Sequence, residues 1–226
     1  MIAIVDTGGA NLSSIQDAFQ RLGQESCVTL DKSVLDSASH LILPGVGHAK
    51  FAMERLKSSD LDLYIKAQIK PVLGICLGMQ LMYDFSNEGD VETLGLISGT
   101  VQRIKPNPNF SVPHMGWCQL VPGQGFCRPT KASPLGPVYV SNASNFDFES
   151  KLLQGLTSND YFYFVHSFQG PEESQNTSAY AKYESQKIPA VIEYKNFYGV
   201  QFHPEKSADA GAKILKNFIN LNEGLS

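Results

Sequence analysis

The apolar run Pro71-Val72-Leu73 leads directly into Gly74-Ile75-Cys76-Leu77-Gly78, and a helix-forming stretch, Met79-Gln80-Leu81-Met82-Tyr83, follows. A buried strand stops here at a cysteine set between glycines, and a helix takes over. The glycines permit a tight turn that side chains would block. Gly-x-Cys-x-Gly at such a corner is the thiol counterpart of the nucleophile elbow. The turn lifts the sulfur out of the sheet and sets it at a helix N-terminus, where partial positive charge favours thiolate over thiol. The stretch therefore points to covalent chemistry carried on a strand–turn–helix corner.

The surrounding sequence supplies the sheet that such a corner needs. Ile2–Val5, Ser26–Leu30, His40–Leu43 and Pro71–Ile75 read as strands. Helical spacing of apolar residues marks 11–22, through Leu12, Ile15, Ala18, Phe19 and Leu22, and helices are also expected over Ala49–Lys57 and Leu61–Ile69. Repeated β-α-β units predict a mainly parallel α/β sheet with helices on both faces, with its site at the carboxyl ends of the strands. The loops after Val5, Leu43 and Ile75 are then neighbours. The second half has short strand-like pieces separated by turns: 101–104, 119–121, 138–140, 161–165, 179–183, 190–194 and 198–202. Antiparallel strands fit these best. A closing helix is expected over Asp209–Asn220. Residues 1–226 read as one domain, with a Pro-, Gly-, Ser- and Asn-rich insertion at about 123–148.

Composition removes several classes of function. A net charge of −4 with no long basic run argues against nucleic acid as a partner. No run of about 18 apolar residues is present, so no membrane span is expected. Met1–Asp6 opens as a strand without a basic leader, so no signal peptide and a cytoplasmic location are expected. Cys27, Cys76, Cys118 and Cys127 form no Cys-x-x-Cys pair or zinc-ligand spacing, so neither metal nor cofactor is expected. Cys27 and Cys118 read as inert core thiols, and Cys127 as incidental.

A cysteine nucleophile needs a base and something to orient that base. In Gly199-Val200-Gln201-Phe202-His203-Pro204-Glu205, a strand delivers His203 at its carboxyl end and Pro204 stops it. In extended geometry Glu205 points to the same side as His203, where it can hold the imidazole tautomer and stabilise imidazolium. Taken alone, His-Pro-Glu reads sooner as a surface pair flanking a proline at a strand end; paired with the elbow it reads as base and acid. Acyl transfer also needs donors aimed at an oxyanion. The loop Leu43-Pro44-Gly45-Val46-Gly47 and the N–H of Leu77 can supply them, and glycines on both sides of Val46 make a peptide flip easy.

These elements, in this order, resemble the class I glutamine amidotransferases. Gly74–Gln80 followed far downstream by Gln201–Glu205 is that family's signature pair. Within it, the chain resembles the glutaminase subunits of imidazole glycerol phosphate synthase, through Asp6–Leu12, Leu43–Gly47, Pro113–Trp117, Tyr161–Ser167 and Asn196–Val200. Cys118 stands where asparagine is expected, Phe168 where tyrosine is expected, and the stretch Gly123–Phe148 is the main departure. The resemblance implies a flavodoxin-like three-layer fold. It implies that Cys76 attacks the glutamine carboxamide, His203 moves the proton, and Glu205 orients His203. Gly45, Val46, Gly47 and Leu77 would form the oxyanion hole. Gln80, with His166, Ser167 and Phe168 through their backbone, would hold the glutamine α-groups. The partner implied is a (β/α)8-barrel cyclase subunit, a separate chain that receives ammonia and makes imidazole glycerol phosphate and AICAR. Asn11, Met115 and Trp117 would face it.

Three other readings stay open on the sequence alone. A paralogous glutaminase could feed a surface-polysaccharide sugar amidotransferase, which genomic neighbourhood would reveal. A non-catalytic subunit of the same fold is disfavoured by the presence of Cys76, His203 and Glu205. An elbow-type cysteine peptidase is disfavoured by the distant position of His203. His166 reads as a strand-end residue that shapes the pocket, and His114 as positional.

Overall fold

The computed structural model describes residues 1–9, 12–45, 47–106, 111–123, 148–183 and 186–221. Among the described residues the chain runs β1 (Ile2–Val5), α1 (Leu12–Arg21), β2 (Ser26–Thr29), α2 (Lys32–Ser37), β3 (His40–Leu43), α3 (Ala49–Ser58), α4 (Leu61–Lys66), β4 (Val72–Ile75) and α5 (Leu77–Gln80). It continues with β5 (Tyr83–Ser86), β6 (Val91–Glu92), β7 (Ile97–Arg103), β8 (His114–Pro122), β9 (Tyr161–His166), β10 (Phe168–Gln169), β11 (Thr177–Tyr183), β12 (Gln186–Tyr194), β13 (Phe197–Val200) and α6 (Ala208–Ile219). Short 3₁₀ turns lie at Lys151–Leu153 and Pro204–Lys206.

The main sheet has nine strands in the order β2-β1-β3-β4-β13-β12-β11-β8-β9. From β2 through β13 every pairing is parallel. From β13 to β9 every pairing is antiparallel. The two textures of the sequence are thus two halves of one sheet. A smaller sheet, β10-β7-β5-β6, lies beside it.

Two-residue periodicity sorts the parallel strands between two cores. Ile2 and Ile4 of β1, Ile42 of β3, and Leu73 and Ile75 of β4 pack on one face with Phe19 of α1 and Ile214, Leu215 and Phe218 of α6. Ala3 and Val5, Leu41 and Leu43, and Val72 pack on the other face with Met53 and Leu56 of α3 and Leu61 and Ile65 of α4. Phe19 and Phe218 are fully buried, which contributes about 1.5–3 kcal/mol for each side chain. This is the layered arrangement expected from alternating strands and helices.

The helix expected over Met79–Tyr83 is instead one turn, Leu77–Gln80, and Tyr83 already opens β5. The reason is competition for carbonyls. Those of Leu81, Met82 and Tyr83 accept from the N–H groups of Leu94, Leu96, Ile97 and Gly95 at 2.8–3.0 Å, so the helix is not continued. Helix α2 was not expected; its six residues are too few to show a period, and the Asp31 side chain accepting from the Ser33 N–H starts it. The strand expected over 138–140, Cys127 and all but the ends of the expected insertion lie outside the described residues. No helix among the described residues is long and apolar enough to cross a membrane.

Candidate active site

Strands β3, β4 and β13 lie side by side, so their carboxyl ends place Pro44-Gly45, Cys76 and Gln201–His203 together. The loop after β1 joins them, since the Thr7 hydroxyl donates to the Pro44 carbonyl at 3.2 Å. The corner at Cys76 is tight: φ is +52° and ψ is −107°, a conformation that costs a non-glycine residue about 1–3 kcal/mol. Two features hold it. The Cys76 N–H donates to the Val200 carbonyl at 2.8 Å. The backbone of Gly78 lies so close to β3 that an added Cβ would sit 1.8 Å from the Leu43 carbonyl oxygen, so only glycine fits.

His203 follows β13, with its backbone N–H donating to the Tyr163 carbonyl at 2.9 Å. Its Nδ1 is 2.8 Å from a Glu205 carboxylate oxygen, and the side chains are 4% and 2% exposed. Pro204 begins a 3₁₀ turn, and that turn brings Glu205 back onto the ring. Burial alone would push the His203 pKa down, but its hydrogen bonds with Cys76 and Glu205 outweigh this and raise it to about 10. An imidazolium between a cysteine sulfur and a carboxylate can lend a proton to a leaving group.

Cys76, Leu77, Gln80, Gly45, Gly47, His166, Ser167, Phe168 and His203 all line one cavity of about 430 Å³. Gln80 is buried. Its Nε2 donates to the Phe168 carbonyl at 2.7 Å and to Gln201 Oε1 at 3.0 Å. Glu205 sits behind His203 and does not line the cavity. Met115 and Trp117 are 59% and 51% exposed on β8, on the face opposite the buried His114, and do not line it either. Asn11 and Val46 lie outside the described residues.

Sequence reasoning passed over three groups. Gln201 Nε2 is 3.7 Å from Cys76 Sγ, and its position within Gln-Phe-His-Pro-Glu was the available signal. Glu88 and Lys206, of opposite charge, also line the cavity. Glu88 sits in a turn whose sequence carries no distinguishing pattern, and its carboxylate is fixed by accepting from the Ala49 N–H at 3.0 Å. The expectation of an inert Cys118 core thiol is corrected as well. Cys118 is half-buried, with its sulfur 3.3 Å from His114 Nε2. Cys27 is also only half-buried, because β2 is an edge strand. The His166 ring is itself engaged, with Nδ1 2.8 Å from the Phe168 carbonyl.

Known proteins resemble this chain in sequence and in fold. The family described as Glutamine amidotransferase class-I matches residues 3–221. Imidazole glycerol phosphate synthase subunit HisH 2 of Legionella pneumophila is 40% identical over 221 residues, covering 98% of each chain. Imidazole glycerol phosphate synthase subunit HisH of Haemophilus influenzae is 44% identical over 218 residues, covering 96% of each. A crystal structure of a glutamine amidotransferase matches the fold with a TM-score of 0.66 over 96% of both chains at 14% identity. A cysteine elbow, a histidine–carboxylate pair at the neighbouring strand end and a match along nearly the whole chain agree: the protein belongs to the class I glutamine amidotransferase family.

Proposed function

We propose that this chain hydrolyses glutamine to glutamate and ammonia through a thioester on Cys76. The ammonia then passes to a separate chain, the cyclase subunit of imidazole glycerol phosphate synthase, in histidine biosynthesis. The observation that carries the chemistry is the His203–Glu205 pair at 2.8 Å, buried beside the strained cysteine corner. The names of the relatives at 40–44% identity support the destination of the ammonia and favour it over sugar amidation.

The chemistry follows from the groups present. Cys76 thiolate attacks the side-chain carbonyl carbon and a C–S bond forms. Negative charge builds on the carbonyl oxygen beside the Leu77 N–H, which opens α5 and so lacks an intrahelical partner. Collapse of this intermediate breaks the C–N bond, and His203 gives its proton to the leaving nitrogen. Neutral His203 then takes a proton from water, whose oxygen attacks the thioester and releases glutamate and the Cys76 thiolate. Glu205 keeps Nδ1 occupied, so Nε2 is the atom that exchanges the proton. Glu88 and Lys206 suit the charged ends of a zwitterionic amino acid, and Gln80, held on the Phe168 carbonyl, lines the same cavity.

Met115 and Trp117, large and exposed on β8, suit a docking face for the cyclase. The decisive experiment measures ammonia transfer by the chain alone and with the cyclase and its nucleotide ligand. Little hydrolysis alone and strong stimulation in the complex are expected; brisk partner-independent hydrolysis would overturn the coupling. Cys76→Ser should reduce turnover by roughly 10⁴-fold or more. It should also remove the covalent adduct that a glutamine-analogue electrophile leaves on the wild-type chain by intact mass.

A further inference from the structure

The register of β8 on β9 sets His114 opposite His166. His114 Nδ1 lies 3.0 Å from His166 Nε2. The outer nitrogen of each ring is also occupied: His166 Nδ1 is 2.8 Å from the Phe168 carbonyl oxygen, and His114 Nε2 is 3.3 Å from Cys118 Sγ. Both histidines are buried, and His114 is stacked between the rings of Phe164 and Tyr183 at 4.8 and 3.9 Å. Among the described residues the hydrogen-bond partners of the two rings are each other, the Phe168 carbonyl and the Cys118 sulfur, and burial pushes their pKa values down to about 4 for His114 and about 3 for His166. Both rings are therefore neutral at physiological pH.

Neutrality fixes every proton in this chain of contacts. A carbonyl oxygen only accepts, so His166 Nδ1 carries the ring hydrogen. A neutral imidazole has one N–H, so His166 Nε2 is an acceptor, and His114 Nδ1 must donate to it. His114 Nε2 is then also an acceptor, and the donor it faces is the Cys118 thiol. Burial raises the Cys118 pKa, which keeps that thiol protonated and able to donate.

The chain of contacts ends on a carbonyl with a second duty. The Phe168 oxygen also accepts from Gln80 Nε2 at 2.7 Å. The same nitrogen donates to Gln201 Oε1, whose amide nitrogen faces Cys76 Sγ at 3.7 Å. We propose that Cys118, His114 and His166 form a one-directional positioning relay. Its donors all point toward the Phe168 carbonyl, and it holds that carbonyl where it aims Gln80, and through it Gln201, at the reacting sulfur. Position 118 therefore needs a hydrogen-bond donor rather than a cysteine as such, and His114 and His166 are positioning residues rather than proton carriers. The proton order follows from the contact geometry together with the neutrality of the two buried rings, whereas the effect on substrate rests on reading the cavity as the glutamine site.

The test has two arms on the full chain. Ring nitrogen-15 resonances of His114 and His166, recorded at neutral pH and assigned with His114→Phe and His166→Phe, report which nitrogen carries hydrogen. Both rings should be in the Nδ1–H form. Cys118→Ala should give a second set of His114 resonances, and Cys118→Ser and Cys118→Asn should restore the single wild-type form. An Nε2–H or charged ring in the wild type, or a Cys118→Ala spectrum identical to wild type, would overturn the relay. In the second arm the chain is saturated with the cyclase. Cys118→Ala should raise the glutamine KM about threefold to tenfold with kcat little changed, and the serine variant should recover it. Unchanged KM in Cys118→Ala would remove the link to substrate. Absence of glutamine turnover in the wild-type complex would instead sink the glutaminase reading, and the nitrogen-15 result would still decide the proton order.

Discussion

His203 and His166 line the same cavity from opposite halves of one sheet, and burial alone would make both neutral. At the end of the parallel half, His203 meets Glu205 and Cys76, and its pKa is raised to about 10. In the antiparallel half, His166 meets a neutral histidine and a backbone carbonyl, and its pKa falls to about 3. Partners, rather than depth, decide which ring is a cation. The contrast separates two tasks, since a proton donor must be charged before the leaving group departs, whereas a strut must not change charge as substrate comes and goes.

The two regions also answer pH in opposite ways. The raised pKa of His203 stabilises the fold fully below the unfolded value of 6.5, and that stabilisation is lost as pH rises through about 10. For His114 and His166 the sign reverses. Their contribution is present above 6.5 and is lost as pH falls toward about 4 and about 3, because the unfolded chain takes up protons that the folded rings refuse.

Removing the anion from the charged side is the most damaging way to erase the contrast. Glu205→Gln should lower kcat in the cyclase complex by roughly 10³- to 10⁴-fold. The alkaline limb of its pH–rate profile should move to lower pH, because His203 loses the partner that holds its proton. An unmoved alkaline limb would show that another group sets it. A smaller effect is expected on the outward face of β8. Trp117→Ala should weaken cyclase binding about 30-fold by titration calorimetry, with little change in thermal unfolding of the free chain, and a loss of fold instead would place Trp117 in the core. The mildest change should blur the comparison from the neutral side. Cys118→Asp puts a carboxylate beside His114 Nε2, from which the native sulfur lies 3.3 Å, and should lift the His114 pKa well above about 4 in an NMR titration. A His114 that stays neutral at the same low pH would mean that depth does outweigh partners there.

Legibility in the sequence followed the distance over which a signal was written. The elbow, the parallel half and His203 with Glu205 could be read because each is a local pattern: a glycine-flanked cysteine, alternating periods, and an i, i+2 pair ahead of a turn. The helix after Cys76 was set too far along because its carbonyls are claimed by residues 94–97, beyond any local window. The His114–His166 pair was hidden for the same reason, since 52 residues and the register of β8 on β9 separate its members. Glu88 and Lys206 were missed because a charged residue in a turn looks the same whether or not a cavity lies beside it. Residue type alone marks Cys118 as a core thiol, and only its neighbour gives it a task.

The missing side chain of Gly78 also limits where this site can move. With no atoms to cushion it, the elbow backbone rests directly on the end of β3 at Leu43. The two cannot slide past one another, so they form a single anvil on which the sulfur is mounted. Gly45 rests on the same anvil, since an added Cβ there would sit 2.3 Å from Leu77 Cβ, so any movement of the loop that follows must hinge beyond Gly45. On the proposed reading of that loop as the oxyanion hole, its movement would leave the nucleophile in place, and aim and activation become separable degrees of freedom.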